Sequence, residues 1–193
     1  NKYLRVLIYK EIFNPLRLLK LFNINFDIFI RTILLTFSFL WVTYQSSKLG
    51  ENYLAVNTIL IQFIMLASFL LDAYAFSTEA VVGYTIGKKS KNSFLLVVSN
   101  SFKLSIFSGL IISGIYLLSF QLIINELTNI DYLKFLVSNY IFWIIIIPPI
   151  AAICYQFDGI FIGASQTAEM RNAMVISVIL FILSSEFLVN NFG

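Results

Sequence analysis

Residues 53–86 read YLAVNTILIQFIMLASFLLDAYAFSTEAVVGYTI. Two charges, Asp72 and Glu79, interrupt an apolar run far longer than the roughly 20 residues that carry a helix across about 30 Å of hydrocarbon. This run decides the fold class. Inside a bilayer a single segment must satisfy its own backbone polar groups, and an α-helix does so. Comparable segments cover residues 26–48, 93–124, 133–163 and 170–193. The chain therefore reads as an all-α integral membrane protein, a bundle of about five transmembrane helices embedded in a lipid bilayer. Composition agrees: 59% of residues are hydrophobic and 12% charged, against roughly 25% charged in soluble domains.

Outside these segments, residues 1–25 are basic and amphipathic. Leu4, Leu7, Ile8 and Ile12 recur at helical spacing with Lys2, Arg5 and Lys10 between them. Pro15 is expected to end that pattern. The stretch reads as a cytoplasmic segment lying on the membrane surface. Pro148 and Pro149 stand in the middle of the fourth segment and are expected to kink it. Basic residues set the orientation. Lys2, Arg5, Lys10, Arg17, Lys20, Lys88, Lys89, Lys91 and Arg171 fall on one side, and Lys48 and Lys134 on the other. The first side is expected to be cytoplasmic. The basic balance follows these membrane flanks and is no nucleic-acid signal. With Asn at the start and an apolar segment running into Gly193, the chain reads as an internal piece of a longer protein. A lone cysteine, Cys154, allows no intrachain disulfide.

The charges left in the spans carry the functional argument. Arg31, Asp72, Glu79 and Asp158 each cost roughly 2.5–3.5 kcal/mol at mid-bilayer even on lenient scales. Counted from the expected helix ends, Arg31, Glu79 and Asp158 lie roughly 8–11 Å in from the cytoplasmic side. Asp72 and Glu79, seven residues apart, share one helical face, which puts Asp72 deepest. One reading is an inward-facing polar path, with Asp72 taking a proton, a cation or a cationic substrate. Glu79, Asp158 and Arg31 then form an ion-pair network nearer the cytoplasm. The competing reading is a fixed buried pair that only orients helices. The chain has no histidine, so proton coupling falls to carboxylates. Gly159 and Gly163 form a G-x-x-x-G pair suited to close helix approach.

Three motifs carry a resemblance. LDAYAFSTEAVVGYTIG at residues 71–87, DGIFIGA at 158–164 followed by MRNAM at 170–174, and Arg31-Thr32 together resemble the DinF-like branch of the MATE (multidrug and toxic compound extrusion) family. The resemblance implies a twelve-helix transporter of two lobes, with this chain supplying the segment after helix six and helices seven to eleven of the C-terminal lobe. It implies export of small cationic or amphipathic compounds in exchange for H+ or Na+, without a cofactor, in partnership with the N-terminal lobe. It places the protein in a bacterial inner (plasma) membrane. Asp72, Glu79, Asp158 and Arg31 match family positions, and Arg171 and Asn172 match its cytoplasmic loop motif. Ala73 and Tyr84 depart from the family's usual Gly and Gln.

A lipid-linked oligosaccharide flippase of the same superfamily is the alternative, but the mid-membrane charges are mostly acidic and favour a cationic cargo over a pyrophosphate headgroup. An enzyme would need a nucleophile–base pair or a metal cluster. Cys154 has no base beside it in sequence, and no catalytic or metal-binding set is assigned.

Overall fold

The computed structural model describes residues 14–192, so residues 1–13 of the expected surface helix lie outside the described residues. Among the described residues six helices follow one another: α1 (Pro15–Leu49), α2 (Glu51–Gly87), α3 (Lys91–Leu127), α4 (Asp131–Ser138), α5 (Ile141–Gly163) and α6 (Thr167–Phe192). Five of them, all but α4, are long and apolar enough to cross a membrane. No strand occurs among the described residues.

Two boundaries differ from those read in the sequence. Pro15 starts a helix, and the first span begins there and not at Phe26. It occupies the first helical turn of α1, where a missing N–H costs nothing, and the Asn14 side chain caps it by accepting from Leu16 N at 3.0 Å. Residues 15–25 are thus the first three turns of α1, with Leu16, Leu19 and Phe22 exposed. The fourth segment breaks at Asn139–Tyr140, upstream of the two prolines, and α5 runs on through Pro148 and Pro149.

The proline pair is accommodated by α3. Pro149 has no N–H to give to Ile145 O, the carbonyl four residues back. Ser113 Oγ donates to that carbonyl at 2.5 Å and to Gly109 O at 3.0 Å. Gly109 leaves room for the proline backbone, since a Cβ there would stand 2.8 Å from Pro149 Cα. Ser113→Ala should lower stability by roughly 1 kcal/mol, the scale of an interhelical hydrogen bond in a membrane. Adding Pro149→Ala returns a backbone donor to Ile145 O and should recover much of the loss. Thermal unfolding of the full-length protein in detergent measures both effects.

The core is the packing of α2, α3 and α5. Along α2 the buried residues are Val56, Ile59, Phe63, Ala67, Leu71, Ala75, Thr78, Val82 and Thr85. They recur every three or four residues, the stripe that one helix face presents to its neighbours. Phe63 meets Tyr116 edge-on at 5.2 Å and Phe120 at 6.0 Å, and Tyr116 donates its hydroxyl to Phe63 O at 2.7 Å. Gly159 and Gly163 bring α5 onto the α2 backbone. A Cβ on Gly159 would collide with Ala75 O, and one on Gly163 would lie 2.5 Å from Glu79 O.

The outer faces of the bundle are apolar: Phe76, Phe107, Leu118 and Phe135 are all exposed, as a lipid-facing surface requires. α1 and α6 pack on each other beside this core, and Trp41 Nε1 donates to Ser185 Oγ across them at 2.8 Å. α1 joins α2 through Gly50, whose φ of 115° and ψ of 167° fall in a region open essentially to glycine alone.

Candidate functional site: a charged cleft between the helix pairs

Two ion pairs lie at one end of the bundle: one joins the α1–α6 pair to the α2–α5 pair, and the other joins α1 to α6. Asp27 and Arg31 stand one turn apart on α1, at the i,i+4 spacing that puts side chains on one face. Arg31 Nη2 donates to Asp158 Oδ2 on α5. Asp27, buried, accepts from two groups of α6: Arg171 Nη1 at 2.5 Å and Thr167 Oγ1 at 2.9 Å. Arg171 also donates from Nε and Nη2 to Asn172 Oδ1, at 3.2 and 3.0 Å. One face of α1 therefore presents negative then positive charge. It meets positive charge from α6 and negative charge from α5.

Asp72 stands apart from both pairs. It lines a cavity of about 640 Å³ between α1, α2 and α5. Most of the wall is apolar, with Leu35, Phe39, Ile64 and Phe69 among the lining residues, and Thr36, Thr43, Ser68 and Tyr155 add polar points. A neighbouring cavity of about 390 Å³ holds Arg31 and Asp158 among Phe157, Phe161, Met170 and Met174. Leu35, Cys154 and Tyr155 line both cavities. Tyr155 is thus part of the wall shared by the cavity of Asp72 and the cavity of the Arg31–Asp158 pair.

Of the network expected from sequence, Arg31 and Asp158 come together and Glu79 does not. Glu79 takes part in none of the ion pairs found among the described residues. Its backbone lies against Gly163, five residues beyond Asp158 on α5 and so about 8 Å further along that helix. Asp27 is the residue that sequence reading passed over. Starting the first helix at Phe26 makes it look like a helix-end charge. Its spacing of four from Arg31, together with a basic Arg171 expected on the same side of the membrane, was the available signal.

Other polar groups bridge neighbouring helices. Thr78 Oγ1 donates to Gln156 Oε1 at 2.7 Å inside the α2–α5 contact, and Asn57 Nδ2 donates to Ser46 Oγ at 2.6 Å between α1 and α2.

The sequence pattern of the MatE family matches residues 28–186. The chain belongs to the MatE family. The matched region contains every residue of the charged cleft except Asp27, which lies one position before it. DNA damage-inducible protein F of Escherichia coli (strain K12) is 33% identical over 165 residues, covering 86% of this chain and 36% of that protein. Protein DETOXIFICATION 42 of Arabidopsis thaliana is 24% identical over 169 residues, covering 88% of this chain and 33% of that protein. The chain thus spans about a third of the length of each relative. No solved structure gives a significant match. Its MatE membership and its five long apolar helices make it part of a helical, multi-pass membrane protein.

Proposed function

We propose that this chain forms helices seven to eleven of the C-terminal lobe of a secondary antiporter, which exports small cationic or amphipathic compounds in exchange for H+ or Na+. The observation that carries the reading is Asp72. It is a carboxylate in none of the ion pairs found among the described residues, set in the wall of a largely apolar cleft that is open enough to admit a ligand. An apolar wall with one negative point is the complement of an amphipathic cation. The same carboxylate can hold a proton or a sodium ion, so one group can alternate between cargo and coupling ion.

The two ion pairs have the other job. Arg31–Asp158 holds α1 against α5, and Asp27–Arg171 holds α6 to α1, at the end of the bundle expected to face the cytoplasm. The rest of the protein supplies the N-terminal lobe that completes the path. A bacterial plasma membrane, with the basic loops inside, fits the relative from Escherichia coli. The word DETOXIFICATION in the name of the Arabidopsis relative fits the clearing of harmful compounds.

Binding tests the cleft directly. Purified full-length protein should bind a fluorescent lipophilic cation, read by anisotropy, and Asp72→Asn should weaken that binding by more than about tenfold. Removing one partner of a desolvated charge pair costs roughly 2–5 kcal/mol. An uncharged analogue of the dye should bind wild type and variant alike. Equal affinity of both proteins for the cation would place its binding elsewhere.

A further inference from the structure

At the end of the bundle where α2 turns into α3, a groove of about 340 Å³ opens between that turn and the end of α5. Lys89, Ser90 and Lys91 contribute its polar part, and Ile86, Phe94 and Ala164 its apolar part. The turn is built to present Lys89. Ser90 N donates to Thr85 O and Lys89 N to Ile86 O, the paired bonds of a Schellman turn, in which glycine is the usual residue at the left-handed position. Here that position, at φ 54°, is a lysine.

Both lysines are exposed, and neither takes part in the ion pairs found among the described residues. Lys88, next to them, lies over the Tyr84 ring, 4.5 Å from its centroid. No acidic side chain lines the groove.

Depth identifies the ligand. α5 has 23 residues, about 34 Å of helix, close to one thickness of hydrocarbon. Ala164, just past its end, therefore sits at the headgroup layer, and the groove with it. Two uncompensated ammonium groups lie there beside an apolar wall. A soluble anion would gain only from the lysines. A phospholipid gains from both halves, its phosphate on the lysines and its glycerol and upper acyl carbons on Ile86 and Phe94.

We propose that this groove is a binding site for the phosphate of an anionic phospholipid. Basic pockets between transmembrane helices at headgroup depth recognise such lipids by this chemistry. This lipid site does not depend on which cargo the protein moves, and it requires only that the bundle spans a membrane.

Titration of the purified full-length protein with phosphatidylglycerol, followed by native mass spectrometry, tests it. Phosphatidylcholine of the same acyl chains is the reference. Wild type should retain phosphatidylglycerol in preference. Lys89→Gln with Lys91→Gln should weaken that retention roughly 30-fold, since each lysine near a membrane surface contributes about a factor of five. Lys89→Arg with Lys91→Arg should keep it, as should Lys48→Gln with Lys134→Gln at the opposite end. Circular dichroism on each variant separates lost binding from lost fold. Unchanged retention in the glutamine variant would overturn the proposal. So would displacement of the lipid by inorganic phosphate, which would make the groove a site for a soluble anion.

Discussion

Asp72→Asn in the full-length protein is expected to reduce export of a cationic dye to the level of cells lacking the gene, with membrane insertion intact. The substitution keeps the shape of the side chain and removes its charge. Asp72 lines the cleft, in the field of Arg31 but outside the ion pairs. Losing it therefore strands no guanidinium, and the bundle should keep its packing. A carboxamide neither releases a proton nor neutralises a cation, so both halves of an exchange cycle fail together. Efflux from cells at matched expression gives the readout, and thermal unfolding in detergent should show wild-type stability. A variant that exported normally would reduce Asp72 to a solvated polar residue and move attention to Glu79 and Asp158.

Arg31→Met should have the opposite signature, with stability lost first. The guanidinium is the hydrogen-bonded partner of Asp158, and both side chains are only 22% exposed. Breaking one side of a partly buried pair leaves a poorly compensated charge and costs up to about 3 kcal/mol, the low end of the range for fully buried pairs. Arg31→Met with Asp158→Asn removes both charges and should regain most of that loss, because a neutral replacement of a buried pair is often close to neutral in stability. A double-mutant cycle of unfolding free energies measures the coupling. If the single and double variants were equally unstable, Arg31 would act through packing of its stem alone. If the double variant were stable yet inactive, the pair would have a role in transport beyond holding helices.

Much of this arrangement is written in local sequence, because membrane spans are the simplest of structural signals. The run from Tyr53 to Ile86 lies within a single helix of 37 residues, and five long helices appear where five apolar segments stand. The Gly159–Gly163 spacing becomes a close contact with Ala75 and Glu79.

Proline is where local reading needs the rest of the chain. Pro15 is a breaker in a helix interior and a starter at a helix end, and only the cap made by Asn14 distinguishes the two. Pro148 and Pro149 are tolerated inside α5 because Gly109 and Ser113, some 40 residues earlier, make room and donate a hydrogen bond. No window of sequence around the prolines contains that compensation.

The site shows the same division. Isolated charges announced Arg31, Asp72, Glu79 and Asp158. Which of them pair depends on the relative height of α1 and α5, and that height brings Arg31 to Asp158 and leaves Glu79 beside Gly163. Asp27 escaped notice because a charge near an assumed helix end costs little. Once α1 is seen to begin at Pro15, Asp27 is the thirteenth residue of a helix, where a carboxylate needs the partners that Thr167 and Arg171 provide.

The central claim is exchange at Asp72, and the most direct test follows the ion. Full-length protein in liposomes, loaded with a pH-sensitive or sodium-sensitive dye, should show H+ or Na+ moving against the direction of an added lipophilic cation. Proteoliposomes of Asp72→Asn should show neither movement. Cation transport without any counter-flux of H+ or Na+, or equal exchange by wild type and Asp72→Asn, would contradict the account.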